Sequence, residues 1–301
     1  MATVETARGA IDTGDLGRVL MHEHVFVLSP EIMQNYPEEW GDEEVRVADA
    51  VRRLSELKAA GIDSILDPTA LGLGRYIPRI AGIASRIELN ILVATGLYTF
   101  DNLPHYFNRR TPGSGPGGSD PMVDMFVRDI TEGIADTGIK AAVLKCATDR
   151  PGVTPGVERV LRAVAQAHRA TGAPITTHTQ AATHRGLEQQ KIFTEEGVDL
   201  SRVVIGHSGD TDDLGYLEEL IANGSLLGMT ASASTACSAP RSGSASSPSC
   251  AAAATQTAWC SATTRPAIST GSPASCRSGR CRTGTTSTSA GTCSPPCGRR
   301  V

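Results

Sequence analysis

The chain has 301 residues, a length that suits one large α/β barrel or two smaller domains. Its formal net charge is -4, which gives no indication of a nucleic-acid-binding protein. No apolar run approaches the length of a membrane span, and residues 1–15 carry no export signal. We therefore expect a cytoplasmic protein that binds neither nucleic acid nor membranes.

The composition changes abruptly near residue 230. All 32 acidic residues and all 7 histidines precede this point, whereas residues 230–301 contain no Asp, Glu, Lys or His. Cysteine is divided in the same way, because Cys146 is the only one of the 8 cysteines that precedes the change. A single thiol fits a reducing compartment. The odd number of tail cysteines at irregular spacing argues against a disulfide scaffold.

Short apolar runs alternate with helical patterns along residues 1–229. The runs are rich in Val, Ile and Leu, which is typical of parallel strands buried on both faces. The predicted strands are residues 18–21, 64–67, 91–95, 141–145, 174–178, 203–207 and 225–229. The predicted helices are residues 47–57 with an end at Gly61, then 76–86, 122–135, 155–171, 184–196 and 212–222. Pro155 and Asp212 are suitable helix starts.

This alternation implies parallel pairing, in either an open doubly wound sheet or a (β/α)8 barrel. No Gly-rich phosphate loop follows the first strand, which weakens the nucleotide-binding form of the open sheet. Polar residues occupy the carboxyl ends of four different predicted strands: His22, Lys145, His178 and His207. Barrel enzymes assemble their sites at that rim. The predicted fold class is therefore an α/β protein of the (β/α)8 TIM barrel type.

Four histidines lie at three of these strand ends. His22 and His24 form a His-x-His pair, and alternate residues of a strand face the same side, so both imidazoles would point into the barrel. Imidazole binds zinc and related metals, although two polar residues at a strand–loop junction would give the same pattern. His178 and His207 each end an apolar run, where a histidine is costly unless it is paired or coordinated. Together the four favour a metal site.

Lys145 ends the apolar run AAVLK and has no carboxylate near it in the sequence. A lysine buried there readily loses its charge. A neutral amine can add carbon dioxide to form a carbamate, whose two oxygens could bridge two metals. The other interpretation is an ion pair with a carboxylate from another strand, and the residues alone leave both open.

Several segments together resemble the phosphotriesterase family, and most closely its lactonase branch. They are VLMHEHVF, GLGRYIPRIA, ELNILVATGLYTF, DMFVRDITEGIADTGIKAAVLKCATD, GAPITTHT and SRVVIGHSGDTDDLGYLEELIANGSLLGM. The resemblance covers about residues 10–229. It implies an amidohydrolase-type barrel that hydrolyses small-molecule lactones or organophosphate esters, and it implies a homodimer.

The resemblance also implies a binuclear metal centre. His22 and His24 would bind one divalent cation, and His178 and His207 would bind the second. A carboxylated Lys145 would bridge the two, together with a hydroxide that attacks the substrate. Zinc is expected, and cobalt, manganese or iron would suit the same ligands.

Two further residues match catalytic positions of the family. Tyr98, in TGLYTF, matches a tyrosine typical of the lactonases that could help to polarise the substrate, although an ordinary rim aromatic would look the same. Asp210 matches an acid close to the metals, although an exposed loop carboxylate is the default alternative. A different amidohydrolase-type barrel, such as an amidase or deaminase, is the competing enzyme class.

The family pattern stops at Met229, so the aspartate that the family carries at the end of strand eight is absent. Residues 230–301 can be interpreted as a low-complexity linker. We favour the hypothesis that they are translated one base out of frame. If residues 230–235 are encoded by GC-rich codons, one base added in front of them gives a shifted frame that encodes DRFGLD. The same shifted frame encodes HADRMVLSHDA in place of residues 255–265 and NWHYL in place of residues 282–287. All three segments are family-like.

On this hypothesis strand eight and its helices are missing from the barrel. We expect an aberrant, disordered tail over residues 230–301, and a chain that is poorly folded or inactive as written, because an unclosed barrel exposes strand edges. It would be a remnant that at most binds metal.

The nucleotide sequence tests the frame hypothesis. The shifted frame should stay open from codon 230 onward and encode the three segments. Resequencing should also find a G-run of altered length at codons 229–230, whereas an unaltered run with intact downstream reads would refute the hypothesis.

Overall fold

The structure is a computed structural model that describes residues 2–230. The sheet is parallel and has seven strands, each paired with the next along the chain. An antiparallel hairpin of two strands, β1 (Thr3–Thr6) and β2 (Gly9–Asp12), precedes it. The seven strands are β3 (Val19–Leu20), β4 (Ser64–Asp67), β5 (Asn90–Gly96), β6 (Val143–Ala147), β7 (Ile175–His178), β8 (Val203–Ile205) and β9 (Leu226–Leu227). All seven predicted strands are confirmed; β3, β7, β8 and β9 are shorter than predicted, and β6 lies two residues farther along the chain than predicted.

Nine α-helices occur within residues 2–230. They are α1 (Pro30–Asn35), α2 (Pro37–Trp40), α3 (Glu43–Ala59), α4 (Ile77–Ala84), α5 (His105–Asn108), α6 (Pro121–Thr131), α7 (Pro155–Thr171), α8 (Arg185–Glu195) and α9 (Leu214–Ala222). The six predicted helices are confirmed as α3, α4 and α6–α9, whereas α1, α2 and α5 are short helices in loops that the periodicity did not indicate. No helix in this part of the chain has both the length and the apolar character needed to cross a bilayer.

Local signals explain where the long helices begin and end. The Thr154 hydroxyl caps α7 by accepting the Val157 N–H, and Pro155 occupies the first turn as predicted. Helix α9 begins one residue later than Asp212 suggested, because Asp213 is its N-cap and accepts the Tyr216 N–H.

Helix α6 ends at Thr131 and does not run to residue 135 as predicted. Gly133 has a φ of 124° and packs so closely on Gly138 that a Cβ would lie 2.9 Å from its carbonyl carbon. The backbone therefore turns where the periodicity alone suggested a further turn of helix.

The core lies on both faces of the sheet. The largest cluster of buried side chains joins α6, α7 and α8 to β6 and β7, and it includes Phe126, Leu161 and Phe193. A small apolar group fills the interior of the half-barrel; it consists of Leu66, Leu92, Ala94 and Val143, with the half-buried Val4 packed against it. The predicted site residues His22, His24, His178 and His207 lie beyond this apolar group, at the carboxyl ends of the strands.

The β1–β2 hairpin was not predicted from the sequence, because its strands are short and mostly half-exposed. It is fixed by long-range contacts that a local pattern cannot reveal. The Ala7 N–H donates to the Ile91 carbonyl at 2.7 Å. The Arg8 guanidinium donates to the Ile87 carbonyl and to Asn90 Oδ1.

Within residues 2–230 the sheet does not close into a complete barrel. Its order runs from β3 to β9, and in this part of the chain no hydrogen-bonded pair joins those two strands. Leu226 and Met229, at the β9 end, are exposed. The described chain is thus an incomplete (β/α)8 barrel, as predicted, while the expected tail lies beyond Thr230, outside the described residues.

A buried ion pair ties the loop after β4 to β5 and α6. Arg75 donates to Asp129 Oδ2 at 2.9 Å, and Thr95 Oγ1 donates to the same oxygen at 2.6 Å. Both charged side chains are almost fully buried. Removing one partner would therefore leave an uncompensated charge in the core.

We expect Asp129→Ala to lower the free energy of unfolding by about 3–5 kcal/mol, because Arg75 then stays buried without its carboxylate. The control is Asp49→Ala on the exposed face of α3, where Asp49 pairs with Arg52 and Arg53. That change should cost about 0–1 kcal/mol. Urea denaturation measures the free energy of unfolding of both variants. Equal decreases would show that the buried ion pair stabilises the fold no more than the exposed one does.

Candidate metal centre

The five predicted metal ligands lie together at the carboxyl ends of the strands. His22 and His24 follow β3, Lys145 lies in β6, His178 ends β7 and His207 follows β8. Ring centroids are 5.3 Å apart for His22 and His24, 4.9 Å for His22 and His207, and 4.4 Å for His178 and His207. Lys145 Nζ lies 3.4 Å from His22 Nε2. The five side chains therefore share one pocket.

Backbone geometry turns His207 into this pocket. Its φ is 57°, in the left-handed region that residues other than glycine rarely adopt. The preceding Gly206 lies so close to β7 that a Cβ would be 2.0 Å from the Thr177 carbonyl oxygen. A strained residue beside an obligatory glycine is typical of functional sites.

Lys145 has a relative exposure of 0%. Burial lowers the pKa of its amine to about 7. Within residues 2–230 no carboxylate lies within ion-pair distance of Nζ, so an ion pair with another strand, the alternative left open above, is not formed there. Near neutral pH the amine is therefore divided between its charged and uncharged forms.

The four imidazoles are neutral at pH 7. Burial is the main cause for each, and the positive charge of Lys145 lowers their pKa values further. The pKa is lowered well below its usual value for His22, to about 3 for His24, to about 4 for His178 and to about 2 for His207. A neutral imidazole carries the lone pair that a metal requires.

An oxygen atom faces one ring nitrogen in three of the histidines. His24 Nδ1 lies 2.8 Å from Thr69 Oγ1, and His178 Nε2 lies 3.0 Å from Asp149 Oδ2. His207 Nδ1 lies 3.7 Å from Asp210 Oδ2. Such partners fix the ring orientation of metal-binding histidines and leave the other nitrogen for the metal.

Sequence reasoning missed two acids at this rim. Asp149 lies two residues beyond β6, and Asp67 is the last residue of β4. Asp67 gave the same signal as the predicted ligands, since it is a polar residue that ends the apolar run SILD. Burial raises the pKa of Asp67 to about 6.

Tyr98 forms one wall of the pocket. Its ring centroid is 5.3 Å from that of His178, and Phe100 lies beside both rings. Burial and the charge of Asp149 raise the pKa of the Tyr98 phenol, which therefore keeps its proton and can act as a hydrogen-bond donor. Of the two predicted catalytic residues, Tyr98 thus faces His178 and Asp210 faces His207.

The donor set can be compared with what a metal needs. In the part of the chain from residue 2 to 230, no three His, Cys, Asp or Glu side chains are arranged to hold one ion. The described pocket instead brings together four imidazoles and the buried amine of Lys145, which lies 3.4 Å from His22 Nε2.

The fold and the pocket together define an α/β barrel with a histidine- and lysine-lined site at the carboxyl ends of its strands. The model of the phosphotriesterase family matches residues 2–240. The chain therefore belongs to the phosphotriesterase family, as its motifs predicted.

Individual relatives agree with this assignment. The chain is 69% identical over 229 residues to a phosphotriesterase homology protein of Mycobacterium tuberculosis, covering 76% of this chain and 70% of that protein. It is 40% identical over 223 residues to an aryldialkylphosphatase of Saccharolobus solfataricus, covering 74% and 68%. The solved structure of the phosphotriesterase from M. tuberculosis matches with a TM-score of 0.73 and 67% identity, covering 76% of this chain and 71% of that one. At the level of the family, these matches support a hydrolase of ester bonds.

The buried amine of Lys145 predicts a pH dependence of stability in the metal-free protein. Between pH 7 and 10.5 the unfolded chain binds a proton at this lysine and the folded chain does not. The free energy of unfolding should therefore rise with pH through this window.

Urea denaturation at pH 7, 8 and 9 measures this rise, and Lys145→Met should abolish it, whereas Lys191→Met at an exposed position should not. Cys146 contributes the opposite slope at higher pH, because burial raises its pKa to about 12, but it is present in all three proteins. An unchanged rise in Lys145→Met would contradict the assignment.

Proposed function

We propose that the barrel of residues 1–229 is a binuclear-metal hydrolase of the phosphotriesterase-like lactonase type, which hydrolyses lactones and organophosphate triesters. The observation that carries the proposal is the convergence of four neutral imidazoles on one buried lysine that lacks an ion-pair partner within residues 2–230. The relative named aryldialkylphosphatase supports the phosphotriester part of the proposal.

In this proposal His22 and His24 would hold one divalent cation, and His178 and His207 would hold the second. Lys145 would contribute to both sites as a carbamate, which forms when Nζ bonds to the carbon of carbon dioxide and loses a proton. The product carries one negative charge and two oxygens, which supplies the donor that the imidazoles lack. Zinc is the expected metal, and cobalt, manganese or iron would suit the same ligands.

When bound, two cations lower the pKa of a shared water and polarise the substrate oxygen. The chain's own residues position the reactants. Tyr98 keeps its phenolic proton and can donate a hydrogen bond to the substrate oxygen that gains negative charge. Asp210, whose Oδ2 lies 3.7 Å from His207 Nδ1, is assigned the task of accepting a proton.

The aromatic wall of Tyr98 and Phe100 favours a substrate with an apolar part. Phe100 is partly exposed at the mouth of the pocket, with its ring centroid 5.7 Å from that of His178. An acyl chain or an aryl group could pack on this wall while the reacting carbonyl or phosphoryl group faces the histidines. The wall thus suits both substrate classes of the proposal.

Metal analysis and turnover test the function together. In the chain with one base restored before codon 230, we expect about two metal ions per chain, and hydrolysis of long-chain acyl lactones and aryl phosphotriesters. Lys145→Met should lose at least one ion and lower kcat/KM by at least about 100-fold. The exposed Lys191→Met is the control and should change neither quantity. Turnover of cyclic amides in preference to lactones would instead support an amidase-like barrel.

The second candidate is an inactive remnant that at most binds metal. The observation that favours it is the missing pair between β3 and β9 in the described sheet, together with the exposed Leu226 and Met229. We propose that the frame shift near codon 230 removes the strand that would close the barrel. The homodimer implied by the family would then be weakened too, because open edges favour aggregation.

Restoring one base before codon 230 distinguishes the two candidates. We expect the repaired chain to show a sharp melting transition and lactone turnover, and the chain as written to bind metal with little hydrolysis. If the chain as written melts sharply and matches the repaired chain in kcat/KM, the remnant interpretation is wrong.

A further inference from the structure

Two buried polar residues behind His24 have no role in the function proposed so far. Asp67 ends β4, and Thr69 follows it by two residues. Their relative exposures are 3% and 6%. Thr69 Oγ1 lies 2.8 Å from His24 Nδ1 and 2.5 Å from Asp67 Oδ1. The three side chains thus form a continuous series of contacts from the end of β4 to the pocket.

The direction of each hydrogen bond in this series follows from the number of protons. Asp67 Oδ1 accepts the Thr69 backbone N–H at 3.0 Å, so it is an acceptor. The 2.5 Å contact between Thr69 Oγ1 and Asp67 Oδ1 requires a proton between the two oxygens, and the carboxylate has none, so the hydroxyl donates its one proton to Asp67. That proton therefore points away from His24.

The lone pair of the hydroxyl therefore faces His24 Nδ1. A contact of 2.8 Å between these atoms requires a proton on one of them, and only the imidazole has one to offer. His24 must then carry its proton on Nδ1. Its Nε2 keeps the lone pair, on the opposite side of the ring from Thr69.

We propose that Asp67 and Thr69 are positioning residues that select the Nδ1–H tautomer of His24 and so prepare its Nε2 to bind a metal. This inference rests on the proposed metal-binding function of His24. Asp67 acts through the hydroxyl, since it lies 3.7 Å from His24 Nδ1, beyond hydrogen-bond distance. In the pair of His178 and His207 the arrangement differs, because Asp149 contacts His178 directly at 3.0 Å without an intervening hydroxyl.

The matched variants are Thr69→Val and Thr69→Ser. Valine keeps the shape of the threonine but removes the acceptor, so the tautomer of His24 is no longer selected. Serine keeps the hydroxyl and should behave as the unchanged protein does. Asp67→Asn is the second variant, because it replaces one acceptor oxygen by a donor and frees the hydroxyl to donate to His24.

The first measurement is made on the metal-free full chain labelled with 15N at histidine. Long-range 1H–15N spectra report which ring nitrogen is protonated, and His24→Asn assigns the signal. We expect Nδ1–H in the unchanged protein and in Thr69→Ser, and a shift toward Nε2–H in Thr69→Val and Asp67→Asn. Nε2–H in the unchanged protein, or no shift in Thr69→Val, overturns the proposal.

The second measurement is zinc affinity by competition with a chelator. Thr69→Val and Asp67→Asn should bind zinc about 10–100-fold more weakly, and Thr69→Ser should restore the affinity. A purely packing role for Thr69 would change the melting temperature and leave the tautomer unaltered, which also overturns the proposal. If the unchanged protein shows Nδ1–H but binds no zinc, the proposed function fails while the tautomer assignment stands.

Discussion

The burial of Lys145 away from any carboxylate within residues 2–230 is the constraint on which the pocket depends. Lys145 lies in β6, the middle strand of seven, where an ammonium ion would be desolvated on all sides. Burial therefore lowers the pKa of the amine to about 7, and the same burial holds the four imidazoles neutral. A pocket with four imidazole lone pairs and an amine that readily gives up its charge is electrostatically suited to cations.

The rest of the barrel keeps this polarity at one end. Apolar side chains such as Leu66 and Val143 fill the interior below the pocket, and Val4 of the N-terminal hairpin packs against them. Within the described residues the polar groups at the carboxyl ends contact one another, as His24 does with Thr69 and His178 does with Asp149. The tautomer of each histidine is therefore important. When one ring nitrogen contacts an oxygen, that contact determines whether the other nitrogen of the same ring has a lone pair for a metal.

The sequence was sufficient for the repeated strands and long helices and for most polar residues at the strand ends, although Asp67 and Asp149 were missed. The seven parallel strands and the five residues at their carboxyl ends could be predicted, because buried parallel strands have a recognisable composition and all end at the same rim. The hairpin of residues 3–12, the short helices α1 and α2, and the contact of Thr69 with His24 could not. They depend on pairs of residues far apart in the chain, such as Arg8 with Asn90, for which no local pattern exists.

The distribution of the candidate ligands separates metal binding from barrel closure. His22, His24 and His207 follow β3 and β8, whereas Lys145 and His178 lie in β6 and β7, so all five precede residue 230, where the composition changes. A strand that closed the sheet would pair with β9 and β3, next to the His22 and His24 pair and farther along the sheet from His178. Loss of that strand should therefore weaken the first pair of ligands more than the second, because His178 and His207 lie on strands that are paired on both sides. The second pair, with Lys145 on the middle strand, is the part of the site that an unclosed barrel holds best.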